Sequence, residues 1–105
     1  MKFLIIIRGK DLFYTLPPEK QFELKAGQAA FTDKYLKAGK CKEVYCIDDL
    51  KGGMAIWDIE STEEGARLFL ENPMFPFQDY EIHTILEWDT CVKVMMEARE
   101  KLVKK

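Results

Sequence analysis

The sequence predicts a single α+β domain built around an antiparallel sheet. Strand-like and helical patterns follow one another in the order strand, helix, strand, strand, helix, strand. The chain has 105 residues, of which 48% are hydrophobic and 32% charged, so it can bury one core but is too short for two. No repeat or low-complexity tract interrupts it. We therefore treat residues 1–105 as one domain.

The first strand and the first helix have clear sequence signals. Residues 2–8 hold a run of five apolar side chains, which is too short for a signal-peptide core or a membrane span and predicts a buried strand. A helix is expected to start at Pro17-Pro18, because proline is tolerated in the first helical turn. Gly39 suits the left-handed residue that ends a helix. The inward stripe of this helix is formed by Leu24, Gln28, Phe31 and Tyr35.

A hairpin is predicted in the middle of the chain. Residues 41–48 and 54–60 have the composition and alternation of two strands. Between them, Gly52-Gly53 is expected to supply the turn.

The second helix and the fourth strand complete the pattern. Ser61 and Glu64 have the spacing of a capping box, so a helix is expected from there to Asn72. After a proline-rich turn, residues 79–88 alternate between an apolar face and a mixed face, as in a strand covered on both sides. The whole order predicts a ferredoxin-like βαββαβ fold, with both helices on one face of the antiparallel sheet.

An additional C-terminal helix is predicted for residues 89–105, with Asp89 or Thr90 as its cap. Its apolar stripe contains Val92, Met95, Met96, Leu102 and Val103. Two interpretations of this stripe stay open. It packs on its own domain, as most apolar stripes do, or it covers a partner subunit or the mouth of a pocket.

Charge and cysteine content argue against several functions. The net charge of −2, with Lys and Arg scattered among acids, provides no basic face for nucleic acid. Cys41, Cys46 and Cys91 are odd in number and lack metal-ligand spacing, so we expect passive thiols and no metal site. This usage fits a reducing cytoplasm, and no partner membrane is expected.

The proline-rich turn gives the best indication of a family. Residues 73–79 follow the pattern Pro-x-Phe-Pro-Phe-x-Asp, in which two prolines hold Phe75 and Phe77 on a stiff segment. This pattern, together with Leu-Lys-Ala at residues 24–26, resembles the muconolactone isomerases, which shift a double bond in a lactone ring without a cofactor. The likeness extends over residues 16–86. It implies a dimeric α/β-barrel that assembles through its sheets.

The residues that carry chemistry in this family are changed here. Where the family places an acid thought to move the proton, this chain has Gln28, whose amide cannot act as a base. On the second strand, Glu43 and Cys46 replace a histidine and an arginine. Lys42 and Tyr45 keep the basic and aromatic character of that strand.

A proton shift beside a carbonyl needs a base near the carbon and a donor or cation at the oxygen. Glu43 is the candidate base, with Tyr45, Lys42 or His83 as candidate donors. The alternatives stay open. Glu43 also fits a solvated strand residue, and His83 shares a strand face with Glu81, which fits a structural histidine at a dimer seam.

Aromatic side chains predict where a ligand would bind. A cavity between sheet and helices would take a flat apolar or aromatic-derived molecule. Core packing accounts equally well for most of the aromatic residues, but a loop is an unusual place for two of them. The predicted substrate-binding residues are Gln28, Phe31, Trp57, Phe75 and Phe77.

Two hypotheses for function follow. The first is a cofactor-independent, isomerase-like enzyme that transfers a proton on a lactone or another enolisable ring compound. The second is a non-catalytic module on the same scaffold, which binds a small ligand or serves as a structural dimer. In both cases the expected partners are a small apolar molecule and further copies of the chain, as a homodimer or a larger homo-oligomer.

Overall fold

In the computed structural model, which describes residues 1–103, every predicted strand and helix is present. The strands are β1 (Lys2–Gly9), β2 (Cys41–Cys46), β3 (Gly52–Asp58) and β4 (Gln78–Thr84). The helices are α1 (Asp11–Tyr14), α2 (Pro18–Lys37), α3 (Thr62–Glu71) and α4 (Trp88–Val103), and a 3₁₀ turn spans Phe75–Phe77.

The four strands form one sheet in the order β2-β3-β1-β4, and every neighbouring pair is antiparallel. The edge strands are β2 and β4. Both β3 and β4 pair with β1. This order, with α2 and α3 as the connections, confirms the ferredoxin-like prediction.

The inner face of the sheet carries the core. Phe3 and Ile5 of β1 lie opposite Trp57 and Ala55 of β3, and all four side chains are buried. Helices α2 and α3 cover this face, since Phe31 and Tyr35 of α2 and Leu68 and Phe69 of α3 pack against the buried cluster. The helix stripe predicted from Leu24 to Tyr35 is thus confirmed as the inward side of α2, where all four of its members are half-buried.

The outer face of the sheet is apolar along its middle. Leu4 and Ile6 of β1 lie opposite Ile56 and Met54 of β3, and these side chains are half-buried or exposed. Because strand residues alternate between faces, these four point away from the core.

The helix caps agree with the sequence signals. Ser61 Oγ accepts a hydrogen bond from the Glu64 backbone N–H at 3.1 Å, and the Glu64 carboxylate accepts one from the Glu60 backbone N–H at 3.2 Å. At the end of α2, Gly39 has a φ of 77°, the left-handed conformation expected there.

The hairpin turn differs from the prediction. Gly52 and Gly53 belong to β3, and the residue with left-handed backbone is Leu50, at a φ of 62°. The glycines are needed for close approach instead. A Cβ at Gly53 would lie 2.5 Å from the carbonyl oxygen of Tyr45, and one at Gly52 would collide with the carbonyl oxygen of Ile7.

Other boundaries also differ, and β2 and β3 each end two residues before their predicted ends. The predicted loop after β1 contains the short helix α1, which places Phe13 in a fully buried position. The fourth strand ends at Thr84, four residues before the predicted end at Trp88, and α4 begins at Trp88 itself. The last two residues of the predicted helix, Lys104 and Lys105, lie outside the described residues.

α4 projects from the rest of the molecule. The principal extents are 63 × 28 × 23 Å and the radius of gyration is 17.6 Å, against about 13 Å for a compact chain of this length. No residue of α4 is buried. Within residues 1–103, none of the helices is long and apolar enough to cross a membrane.

Candidate functional site

Two cavities lie between the sheet and the helices. The larger, about 400 Å³, opens between α2 and the β2–β3 hairpin and is called here the hairpin cavity. The smaller, about 260 Å³, lies between α3 and the sheet and is called the α3 cavity. The two have no lining residue in common.

The floor of the hairpin cavity carries a hydrogen-bonded polar group. Gln28 Nε2 donates to Gln78 Oε1 at 3.1 Å, and the Tyr80 hydroxyl donates to the same oxygen at 2.8 Å. Burial raises the pKa of Tyr80 to about 12, so its hydroxyl stays protonated and remains a donor at neutral pH. Gln28 is therefore held by a neutral network with no negative charge.

The wall of the hairpin cavity formed by α2 carries two charged residues, Lys25 and Asp33. Lys25 Nζ donates to the Leu50 carbonyl oxygen at 3.3 Å, which ties α2 to the hairpin turn. Eight residues separate Lys25 from Asp33, so their Cα atoms are about 12 Å apart along the helix axis. Gln28 lies between them on the same helix face. A cation and a carboxylate thus face one open space from its two ends.

The α3 cavity has a different character, because its wall is almost wholly apolar. Its polar members are Asn72, at the end of α3, and Thr62, at the start. Of the predicted substrate-binding residues, Phe31 and Trp57 lie here, with ring centroids 5.9 Å apart. The other wall residues include Phe3, Ile5, Ile59, Leu68, Phe69 and Ile82.

The predicted catalytic residues Glu43 and Tyr45 lie together on the outer face of the sheet. Tyr45 lies opposite Met54, and its hydroxyl donates to Glu43 Oε1 at 3.0 Å. This hydrogen bond to a carboxylate raises the pKa of Tyr45. Tyr45, with Val44 and Cys46, also contributes to the edge of the hairpin cavity, whereas Glu43 lines neither cavity.

His83 lies on the same outer face at the opposite edge of the sheet. One row across the sheet runs from Glu43 through Ile56 and Leu4 to His83. Three strand spacings separate the two ends of this row, which is about 14 Å. His83 Nε2 lies 3.2 Å from Glu81 Oε1. One copy of the chain therefore does not bring Glu43 and His83 to a common substrate.

The two phenylalanines of the proline-rich turn pack against neighbouring aromatic rings. Phe75 stacks on Tyr80 and lies beside Phe69, both at centroid distances of 6.1 Å. Phe77 lies 6.1 Å from Phe13. Neither phenylalanine lines either cavity, so packing of the turn accounts for their positions.

The chain resembles known proteins in both sequence and fold. No family model matches the chain. The muconolactone Delta-isomerase of Rhodococcus opacus is 27% identical over 78 residues, which cover 74% of this chain and 84% of that protein. The crystal structure of a muconolactone isomerase superposes with a TM-score of 0.70 over 83% of this chain and 90% of the other, at 21% identity. In sequence and in fold, the chain is similar to muconolactone isomerases.

A second solved structure has the same fold. The 5-chloro-2-hydroxyhydroquinone dehydrochlorinase of Burkholderia phenoliruptrix, in complex with 2,5-dihydroxybenzoquinone, superposes with a TM-score of 0.67 and 17% identity. The match covers 86% of this chain and 98% of the dehydrochlorinase.

Sequence reasoning missed Lys25 and Asp33 as site residues of this protein. The signal was present in the helical period. Counted from Lys25, the residues at positions 28, 29, 32, 33 and 36 follow the i+3, i+4, i+7, i+8 and i+11 pattern of one helix face, and all of them line the hairpin cavity. The aromatic stripe of α2 gives the stronger sequence signal, and this polar face lies next to it.

Proposed function

We propose that the protein is a small-molecule enzyme of the isomerase type, which moves a proton on an unsaturated lactone or a similar enolisable ring. The similarity to a protein named for the isomerisation of muconolactone supports the reaction class. The similarity in fold to a dehydrochlorinase of a ring compound supports a cyclic substrate.

The observation that carries the proposal is the arrangement of Lys25, Gln28 and Asp33 along one wall of the hairpin cavity. A carbonyl compound loses a proton from the neighbouring carbon when a base is close and the developing oxygen charge is stabilised. Asp33 is the base in this proposal, and the Lys25 ammonium stabilises the enolate oxygen. The protonated Asp33 then returns the proton to a different ring carbon, so the double bond moves and the enzyme is regenerated.

Gln28 has a positioning role in this scheme. Gln28 Nε2 donates a hydrogen bond to Gln78 Oε1. Gln28 Oε1 accepts a longer hydrogen bond from Gln78 Nε2, at 3.4 Å. An amide at this place holds a polar ring substituent without taking up the proton. The base has therefore moved by five residues along α2 relative to the position that the family resemblance indicates.

The alternative acid–base set is Glu43 with Tyr45 and His83. These groups lie on the outer face, at opposite edges of one sheet. They would enclose a substrate only where a second copy covers that face. This alternative therefore depends on assembly, whereas the set in the hairpin cavity does not.

We include assembly through the outer face in the proposal. The middle of that face is formed by Leu4, Ile6, Met54 and Ile56, and apolar area of this kind marks an interface. The flanking pairs Glu43–Tyr45 and Glu81–His83 provide a polar rim, as protein interfaces have. The occupant is a second copy of this chain, which gives a homodimer or a larger homo-oligomer.

Solvent-deuterium exchange on α-angelica lactone, an unsaturated five-membered lactone, tests the proposal by proton NMR. We expect exchange above the buffer rate with the wild-type protein. Asp33→Asn should slow it by about 10²-fold or more, the usual contribution of a general base. Glu23→Gln is the matched control on the same helix, since Glu23 contacts only Lys20 at the surface within the described chain.

The outcomes separate the two acid–base sets. Loss of exchange in Glu43→Gln, with Asp33→Asn unaffected, would assign the reaction to the outer face. Exchange that survives both substitutions would contradict both assignments.

A second candidate function is ligand binding without turnover. The observation that favours it is the neutral pair of Gln28 and Gln78 at the place where the resemblance implies an acid. Saturable binding of the lactone, with exchange at the buffer rate, would support this function and overturn the enzymatic one.

A further inference from the structure

The side-chain amide of Asn72 borders the α3 cavity. Within the described residues, its oxygen has a hydrogen-bond partner and its nitrogen has none. Asn72 ends α3 and is 7% exposed, and it lines the cavity. Its Oδ1 accepts from the Met74 backbone N–H at 3.0 Å, which fixes the orientation of the amide because only the oxygen can accept. The Nδ2 group is therefore the free end of this side chain.

No group within residues 1–103 accepts a hydrogen bond from Asn72 Nδ2. Among the same residues, no sealed side-chain nitrogen or oxygen lacks a partner, so Nδ2 must reach accessible space. The α3 cavity, which Asn72 lines, offers such a space. Water can solvate a donor in such a space, and a ligand acceptor would take the place of that water.

The position of Asn72 is rigid. Its backbone N–H donates to the carbonyl oxygens of Leu68 and Phe69 at the end of α3, and its own carbonyl accepts from Phe75. Pro73 restricts the backbone of the residue before it to extended conformations. A donor held in this way loses little freedom when a ligand binds.

We infer that the α3 cavity binds a flat apolar ring that carries one carbonyl oxygen, and that this oxygen accepts a hydrogen bond from Asn72 Nδ2. The ring lies between the aromatic and aliphatic walls that include Phe3, Phe31, Trp57 and Phe69. A volume of about 260 Å³ is sufficient for one substituted ring, since a dry cavity of about 150 Å³ already takes benzene. The inference goes beyond the proposed function, because this cavity has no lining residue in common with the hairpin cavity.

The cavity also has an entrance for such a ligand. Ile82 of β4, on the inner face of the sheet, lines the cavity and is 48% exposed. Thr62, at the start of α3, also lines the cavity and is exposed. The ligand therefore enters along the edge of β4 with its apolar part toward the sheet and its oxygen toward Asn72.

The test uses two probes that differ only in the acceptor. Acetophenone carries a carbonyl, and ethylbenzene has nearly the same shape without one. Binding is followed by the indole N–H resonance of Trp57 in ¹⁵N-labelled protein. The chain has two tryptophans, so Trp88→Phe, on the exposed helix α4, assigns the Trp57 signal.

We expect the Trp57 resonance to shift saturably with both probes, with acetophenone binding about three- to tenfold more tightly, as one added hydrogen bond predicts. Asn72→Asp keeps the acceptor for the Met74 N–H and removes the donor, so it should abolish the preference. Should that variant not fold, Asn72→Ser serves, because a serine hydroxyl makes the same turn bond. Ala66→Phe, which fills the cavity from α3, should remove binding of both probes.

Several results would overturn the inference. Equal affinity for the two probes would show that Asn72 makes no bond to the ligand. An unchanged preference in the Asn72 variant would show the same. Absence of any Trp57 shift would show that no small molecule binds in the α3 cavity. The same conclusion would hold if α4 of a second copy filled the cavity. Lactone exchange at the hairpin cavity is measured separately, so these failures are distinguishable from failure of the proposed function.

Discussion

The side-chain amides of Gln28 and Gln78 pair across the boundary between α2 and β4, with Gln28 Nε2 to Gln78 Oε1 at 3.1 Å. The Tyr80 hydroxyl donates to the same Gln78 oxygen. This oxygen has two donors, which leaves the network neutral and saturated. A carboxylate at position 28 would disturb it by placing oxygen against oxygen, unless the Gln78 amide turned over.

Gln28→Glu should increase proton exchange on the lactone. The substitution places a base in the middle of the hairpin cavity, and Gln78 is able to turn its amide and donate to it. We expect the deuterium-exchange rate to rise by about tenfold or more. The matched control is Gln21→Glu, the same change about two turns earlier on α2, outside the cavity lining. An unchanged rate in Gln28→Glu would mean that the substrate does not reach this position.

The left-handed backbone of Leu50 should lower the stability of the protein. At a φ of 62° a Cβ is strained, at a cost of about 1 kcal/mol or more, whereas glycine has no Cβ. Leu50 is 68% exposed, so little packing is lost with its side chain. We expect Leu50→Gly to be about 1 kcal/mol more stable than Leu50→Ala in urea unfolding. Both variants lose the side chain and only alanine keeps the Cβ, so equal stabilities would contradict this reading of the turn.

The ion pair of Lys40 and Glu64 should make stability depend on pH. The hydrogen bond from Lys40, followed by that from the Glu60 backbone N–H, lowers the pKa of Glu64 below its usual value of 4.5. A carboxyl whose folded pKa is lowered contributes stability above its unfolded pKa, and the contribution is lost as pH falls through the folded value. Glu64→Gln should therefore be less stable than wild type at neutral pH, and the difference should shrink at acid pH, as the pH falls through the lowered pKa of Glu64 in the folded protein.

The comparison isolates this pair, because all other titrating groups are common to the two proteins. Glu63→Gln provides the control. Glu63 lies in the same helical turn and pairs only with Arg67 at the surface within the described chain. A pH-independent difference for Glu64→Gln, measured by urea unfolding at neutral and at acid pH, would mean that the cap geometry and not the charge provides the stability.

Assembly through the outer face predicts a specific disruption. Leu4 lies in the middle of that face, between Ile56 and His83, so Leu4→Lys places a charge where the second copy would pack. We expect a multimer for the wild type and a monomer for Leu4→Lys in native mass spectrometry at micromolar concentration. Phe22→Lys, at a residue 76% exposed on α2, should leave the mass unchanged. A monomeric wild type would contradict assembly altogether.

Much of the fold was predictable because local signals and burial agree. The period of α2, the cap at Ser61 and the alternation along β4 each predicted the element that is present. The hairpin turn was not predictable by the same means. Two adjacent glycines usually indicate a turn, but here they permit close strand approach, and a leucine takes the strained position. Only the three-dimensional arrangement of β1, β2 and β3 distinguishes these uses.

The site was less predictable than the fold. Alternation along β2 correctly indicates that Glu43 and Tyr45 share one face, but the sequence does not say which face meets the helices. That depends on the bulge between Cys41 and Glu43, which changes the register by one residue. Cys41 points into the core and Glu43, two residues on, points outward. A single inserted residue thus decides whether a carboxylate reaches a cavity.

In the proposed assembly, the projecting helix α4 links the secondary structure of the protein to its concentration. A helix of 16 residues is marginal in water without tertiary contacts, and no residue of α4 is buried. The backbone hydrogen bonds of α4 are therefore stable only when another protein surface covers its apolar stripe. Dilution should unwind it, and the helical signal in circular dichroism should fall at concentrations where the sheet remains intact. The order of this last segment would then follow mass action, while the sheet domain unfolds as a separate unit.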